Sequence, residues 1–220
     1  DQLRPPPMPL RAYADMLKSS AAVSTGGFFA QVVQLLPPLA AGWLLSTAEA
    51  GQYGAAMKLL ALAMMLDRVF VTLFLPLISR YRNSNREQLT SVLAVATRGV
   101  IAIGFSVSTV LMIVGNSLVV RVFGENFAQA GSLFAVLAWF FALTMLNSIF
   151  SFSLIGGGHD GKYLKATVWG GSLSALLILA GTLVDGIRGT ALAVVFSELV
   201  ITLMMYRAFR TYFPPVQLRW

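Results

Sequence analysis

Six apolar stretches, each long enough to cross a bilayer and parted by short polar joints, run through this chain between Ser20 and Tyr206. A helix needs about 20 mostly apolar residues to span the hydrocarbon core. The spans read as 20–45, 54–78, 99–120, 130–155, 163–184 and 189–206. The predicted fold is therefore all-α, a polytopic bundle of six transmembrane helices, with a lead-in at 1–19 and a basic tail at 207–220. Two spans are unusual: the second contains Lys58, Asp67 and Arg68, and the sixth is short with Glu198 inside it.

With 57% hydrophobic and 11% charged residues, the chain has too little polar surface for a water-soluble globule. Its net charge of +7 raises the question of nucleic acid, and the placement of the charges answers it. Arg4, Arg11 and Lys18 precede the first span, Arg80, Arg82, Arg86 and Arg98 lie between the second and third, Lys162 and Lys165 divide the fourth from the fifth, and Arg207, Arg210 and Arg219 follow the sixth. The opposite joints hold Arg121 and Arg188 with Glu49, Glu125 and Asp185. This alternation is the positive-inside pattern; it predicts both termini on the cytoplasmic face, with the bilayer and not nucleic acid as the charged partner. The absence of cysteine excludes disulfides and thiolate metal sites and leaves the redox compartment open. Asp1 stands where a Met would start a chain, and no signal peptide precedes Ser20, so the sequence reads as a fragment or a processed chain.

Turn residues punctuate the spans. Gly51 and Gly54 flank the turn into span two, 79–88 is expected to form the longest internal loop, and 123–130 breaks span three from four. The segments 156–162 and 185–189 supply the remaining joints, and 86–98 reads as a helical lead-in continuous with span three. Gly104 with Ser108, Thr167 with Gly171 and Gly170 with Ser174 are small-residue pairs that would let helices approach closely.

Polar side chains in hydrocarbon are costly unless they meet a partner or a wet cavity. At about 100° per residue, Ser20, Ser24, Gly27, Gln31, Gln34 and Pro38 of the first span fall within roughly 40° of one line. Gly54, Lys58, Ala61, Met65, Arg68 and Thr72 do the same on the second. Two adjacent helices with such stripes predict a shared cleft lined by amides and two cations. The plainer alternative has Lys58 snorkelling to the interface and the glutamines bonding neighbouring helices. Asp67 projects away from the stripe, nearly opposite Lys58, and must find another helix; Glu198 is the other buried acid, and Asn147 with Ser151 makes a smaller polar patch. Asp67 and Glu198 are candidates for holding H⁺ or Na⁺, against the commoner use of such acids as interhelical hydrogen-bonding groups. Pro37, Pro38 and Pro76 are expected to kink or unwind their helices and free carbonyls to line a cavity.

Enzyme and cofactor motifs are lacking. Gly156, Gly161 and Lys162 have phosphate-loop spacing, but Tyr163 stands where Ser or Thr would ligate magnesium, and the segment joins two spans instead of following a strand. His159, the sole histidine, has no metal-pair partner and reads as a solvated loop residue. The expectation is a non-enzymatic chain without a metal or other cofactor.

Five short elements, in order, resemble a known family: Gly51-x-Tyr53-x-x-Ala56-x-Lys58, Leu75-Pro76-Leu77-Ile78-Ser79-Arg80, Phe123-Gly124-Glu125-x-Phe127, Gly161-Lys162-Tyr163 and Gly189-Thr190-Ala191-Leu192-Ala193. Together they make the chain similar to the C-terminal half of the polysaccharide and O-antigen flippases of the multidrug/oligosaccharidyl-lipid/polysaccharide (MOP) exporter superfamily. The resemblance implies one lobe of a two-lobe transporter of the bacterial inner membrane. Such a transporter flips undecaprenyl-diphosphate-linked oligosaccharide units by alternating access, for O-antigen, lipopolysaccharide and other polysaccharide biosynthesis. It further implies cavity cations that hold the diphosphate and acidic sugars, a role that Lys58 and Arg68 match chemically, with Gln31 and Gln34 beside them. The partners implied are the lipid-linked oligosaccharide and an N-terminal six-helix lobe, or a second copy in its place. Two other expectations stand beside this one: a multidrug or cation antiporter of the same superfamily, and a structural membrane subunit without a path of its own.

Overall fold

The computed structural model describes residues 10–81 and 86–213, without the side chains of residues 10–12, 15, 19, 79, 86 and 87. Arg4, Arg82 and Arg219, and the side chains of Arg11 and Arg86, thus lie outside the described residues of the charge pattern. Within them the chain is helical and has no strand: α1 (Leu10–Leu44), α2 (Thr47–Tyr81), α3 (Arg86–Phe123), a 3-10 turn (Glu125–Phe127), α4 (Ala128–Gly156) and a helical stretch Asp160–Arg210. These five long helices are apolar and long enough to cross a membrane.

The last stretch is two helices. Asp185 (φ −138°, ψ 30°) and Gly186 (φ 52°, ψ −136°) leave helical geometry, in the joint predicted from the sequence. A residue with a Cβ is strained at the φ of Gly186. The arms, α5 (160–184) and α6 (187–210), fold back antiparallel. Thr182 Oγ1 and Thr190 Oγ1 share a 2.8 Å hydrogen bond, a Cβ on Gly181 would meet the Gly189 carbonyl oxygen at 2.6 Å, and one on Gly170 would meet Ile201 at 3.0 Å. Small residues on both arms let the backbones close up where lipid gives no hydrophobic drive between helices. The described residues thus form six helical segments, with a two-residue break in place of the longer turn expected at 185–189.

Helix α4 is the hub. Leu137, Ala138, Phe141, Ile149 and Leu154 on it are fully enclosed, and it packs against α2, α3 and the α5–α6 hairpin, while α1 docks on the hairpin. The small-residue pairs sit at these seams. A Cβ on Gly104 would lie 3.4 Å from the Ala142 backbone, and Ser108 Oγ donates to the Ala138 carbonyl at 2.7 Å. Gly171 faces Phe29 of α1.

Local chemistry fixes the ends. Ser46 Oγ accepts from the Glu49 N–H (3.3 Å) and Glu49 Oε2 accepts from the Ser46 N–H (3.0 Å), a reciprocal capping box that starts α2. Gln52 ties α2 to the α3–α4 joint: its Nε2 donates to the Asn126 carbonyl (2.7 Å), and its Oε1 accepts from the Ala130 N–H (2.9 Å), one of the free amides of the first turn of α4. At the opposite end, three residues join α4 to α5, with Gly158 at φ 75°.

Three local expectations need correcting. Of the kinking or unwinding expected at the prolines, unwinding does not occur: α1 stays helical through Pro37 and Pro38, and α2 through Pro76. Proline's fixed φ is helical, so its cost falls on the hydrogen bond it cannot donate, and the helix persists where packing outweighs that loss. The 79–88 loop is shorter than expected, because α2 continues to Tyr81 and α3 begins at Arg86 with the foreseen lead-in. His159 does lie in the α4–α5 loop but is half-buried and not simply solvated: its ring stacks on Tyr212 at 3.7 Å between centroids, with Phe213 edge-on at 6.1 Å. The hairpin returns the end of α6 to the start of α5, which covers the histidine.

Candidate functional site

A cavity of about 540 Å³ opens among α1, α2, α4, α5 and α6. From α1 it takes Gln31, Gln34 and Pro37, and from α2 Met57, Leu60, Ala61, Met64, Asp67 and Arg68. The hub helix adds Thr144, Asn147, Ser148 and Ser151, and the hairpin adds Tyr163, Thr167, Ser197 and Glu198. Asp67 lies fourteen residues before the end of α2, about 20 Å along a helix that rises about 1.5 Å per residue, so the cavity floor is far from either helix end.

The structure brings five of the six sequence-derived site residues together. Gln31, Gln34 and Arg68 are exposed and form the mouth, while Asp67 and Glu198 are buried at the bottom. Lys58 is exposed and is not among the lining residues. Of the projected stripe on α2, Ala61 and Arg68 line the cavity and Gly54, Lys58, Met65 and Thr72 do not; the lined face is centred between Asp67 and Arg68. That projection selected polarity, and Lys58 is polar toward a different surroundings. Asp67, which was expected to point away from the cleft, is part of its floor, although it does find another helix as anticipated.

Helix α4 arranges the acids. Ser148 Oγ donates to Asp67 Oδ2 at 3.1 Å, Asn147 Nδ2 donates to Glu198 Oε1 at 3.1 Å, and Ser151 Oγ donates to Asn147 Oδ1 at 3.0 Å. Neighbouring residues of a helix point about 100° apart, so one turn of α4 reaches α2 on one side and α6 on the other. Asp67 Oδ1 and Ser197 Oγ are buried without a hydrogen-bond partner. Unsatisfied acceptors are rare in protein interiors because the lost hydration costs about 1–3 kcal/mol.

Sequence reasoning missed Thr144, Ser148, Thr167 and Ser197. Isolated Ser and Thr in a span usually bond their own helix backbone, as Thr97 does to the Leu93 carbonyl and Ser153 to the Ile149 carbonyl. Only the three-dimensional convergence separates the two uses. No cluster of three or more His, Asp or Glu suited to a metal occurs among the described residues.

The arrangement is a polar cleft, lined by carboxylates, amides and hydroxyls, cut into an apolar helix bundle, with its exposed residues on α1 and α2. It can bind and release a hydroxyl-rich or charged group within the thickness of a membrane, and a single guanidinium at its mouth offers two parallel hydrogen bonds to an oxyanion. No curated protein and no solved structure matches the chain significantly. A family profile described as polysaccharide biosynthesis protein matches residues 2–132; that stretch contains Gln31, Gln34, Asp67 and Arg68, whereas Asn147, Ser148 and Glu198 fall beyond it. The match takes in more than half of the chain, and this membrane protein accordingly belongs to the polysaccharide biosynthesis protein family, with a role in making or exporting polysaccharide.

Proposed function

We propose that the chain is one six-helix lobe of a transporter that flips an undecaprenyl-diphosphate-linked oligosaccharide across the bacterial inner membrane by alternating access. The observation that carries this reading is the cavity itself, an amide-, hydroxyl- and carboxylate-lined space between apolar helices. Arg68 at the mouth holds the diphosphate, Gln31 and Gln34 contact the sugar, and Asp67 with Glu198 exchanges H⁺ or Na⁺ during the cycle. The exposed mouth is completed by an N-terminal six-helix lobe or by a second copy, as parallel repeats about a central site would place it. Both termini are cytoplasmic, and no bond of the substrate is made or broken.

One observation favours a second reading, a cation antiporter of the same superfamily: two acids and only one cation occur among the described residues lining the cavity. The polysaccharide biosynthesis match counts against it. The discriminating experiment is reconstitution of the full-length protein in liposomes containing a fluorescent lipid diphosphate-linked oligosaccharide. Arg68→Ala is expected to slow flipping at least about tenfold, the loss of a charge-assisted bond worth about 1.5–3 kcal/mol. Lys58→Ala, off the lining, has the smaller effect. Unchanged flipping in Arg68→Ala, or proton-driven efflux of an organic cation in place of flipping, overturns the assignment.

A further inference from the structure

We infer that the cavity selects neutral or amino sugars and rejects acidic ones, an inference that rests on the flippase reading. The resemblance alone points the other way, toward cations that hold acidic sugars; the floor of this cavity does not have that chemistry. Asp67 is 8% exposed and Ser197 3%. Asp67 keeps one carboxylate oxygen, and Ser197 its hydroxyl, without a partner beside the empty volume.

Asp67 Oδ1 is satisfied only by an occupant that brings a donor, whereas the unpartnered hydroxyls of Thr144, Thr167 and Ser197 can donate or accept. A sugar hydroxyl donates to Asp67 Oδ1 while Ser148 continues to hold Oδ2, and the ammonium of an amino sugar adds charge to the same bond. A uronic carboxylate brings an acceptor and a like charge to a site that already contains Asp67 and Glu198, an arrangement that costs several kcal/mol when desolvated. Phe152 and Tyr163 on the walls give flat apolar surfaces for the C–H faces of a pyranose ring, the mixed lining typical of small-molecule sites.

Arg68 lines the same cavity at its exposed edge. It is exposed at the mouth while Asp67, its sequence neighbour, is buried. One cation at the exposed edge serves the diphosphate, while two buried acids, Asp67 and Glu198, face the sugar, so acids outnumber cations where the sugar sits.

The test uses the full-length protein in liposomes with two lipid diphosphate-linked oligosaccharides that differ in one ring, a neutral hexose in one and the corresponding hexuronic acid in the other. The neutral substrate is expected to be flipped with a kcat/KM at least about tenfold higher. Equilibrium binding of the two free oligosaccharides to the detergent-solubilised protein is measured for wild type and for Asp67→Asn/Glu198→Gln. The double substitution is expected to bring the two affinities within about twofold, whether or not it still transports. Equal flipping of both substrates, or a neutral-sugar preference that persists in the double variant's binding, overturns the selectivity and leaves the flippase reading intact. Flipping of neither substrate overturns the flippase reading itself.

Discussion

Asn147 and Ser148 are adjacent on α4, yet one holds Glu198 of α6 and the other holds Asp67 of α2, each through a 3.1 Å hydrogen bond. A single turn of the hub helix therefore ties two acids from distant parts of the chain to one cavity. Removing either tether strands a buried carboxylate. Ser148→Ala is expected to cost about 1–3 kcal/mol, because Asp67 Oδ1 already lacks a partner. Asn147→Leu is expected to cost a similar amount at Glu198. The two effects share a helix turn and a cavity, so the double variant should depart from additivity by about 0.5 kcal/mol or more. Chemical unfolding of the four proteins in detergent micelles reads this coupling; strict additivity would mean that the two acids are independent.

The Gln52 clasp yields a second expectation. Its amide satisfies the Asn126 carbonyl and the Ala130 N–H at once, and Leu at this position removes both bonds while keeping the side chain's bulk. Gln52→Leu is expected to destabilise the α3–α4 joint by about 1–3 kcal/mol. Amide exchange at Ala130 should accelerate, while exchange at Ala166, in the hairpin, stays unchanged. If both amides accelerate alike, the clasp acts on the whole bundle and not on the joint.

Much of the fold was legible because bilayer thickness sets span length and the apolar runs answer to it. The break at Asp185 and Gly186 also followed from local composition, since a glycine beside a polar residue interrupts an otherwise continuous apolar pattern. The site was legible only in part. Gln31, Gln34, Arg68, Asp67 and Glu198 stood out as polar groups in spans, and they do share the cavity. Rotational projection misassigned the face of α2, because Lys58 and Asp67 are both polar and the sequence does not say which of them faces a neighbouring helix. Ser148 carried no signal, as its tether to Asp67 spans 81 residues. The His159–Tyr212 stack likewise depends on the hairpin's return. The Ser46–Glu49 capping box had a readable signature, Ser-x-x-Glu before an apolar run, and was overlooked.

That capping box gives the chain a local pH dependence. Bonds from the Ser46 hydroxyl and backbone N–H hold the Glu49 carboxyl below its ordinary value of 4.5. A depressed carboxylate contributes stability that is complete above its unfolded value and disappears as the pH falls through the folded one. The amides that open α2 should therefore exchange slowly at neutral pH and lose protection in acid below that ordinary value. Glu49→Gln preserves the box without a titrating group, and it should flatten the profile. A wild-type acid transition that survives in Glu49→Gln would assign it to another group.

The α5–α6 hairpin depends on two glycines for different reasons, and a pair of substitutions separates them. A Cβ at Gly189 would collide with the Gly181 carbonyl across the hairpin, whereas a Cβ at Gly186 would meet nothing nearer than Glu49 Oε1 at 3.4 Å but would sit at φ 52°. Gly186→Ala is expected to cost about 1–3 kcal/mol from backbone strain alone and to leave the hairpin paired. Gly189→Leu forces the arms apart, breaks the Thr182–Thr190 bond and pulls α6, with Glu198, away from Asn147. Gly161→Ala, at a position open to space, is the neutral control. Cross-linking of cysteines introduced at Thr182 and Thr190, whose hydroxyls lie 2.8 Å apart, reports the pairing: it should persist in Gly186→Ala and in the control and fall in Gly189→Leu. Persistence in Gly189→Leu would show that the arms hold together without the close backbone approach.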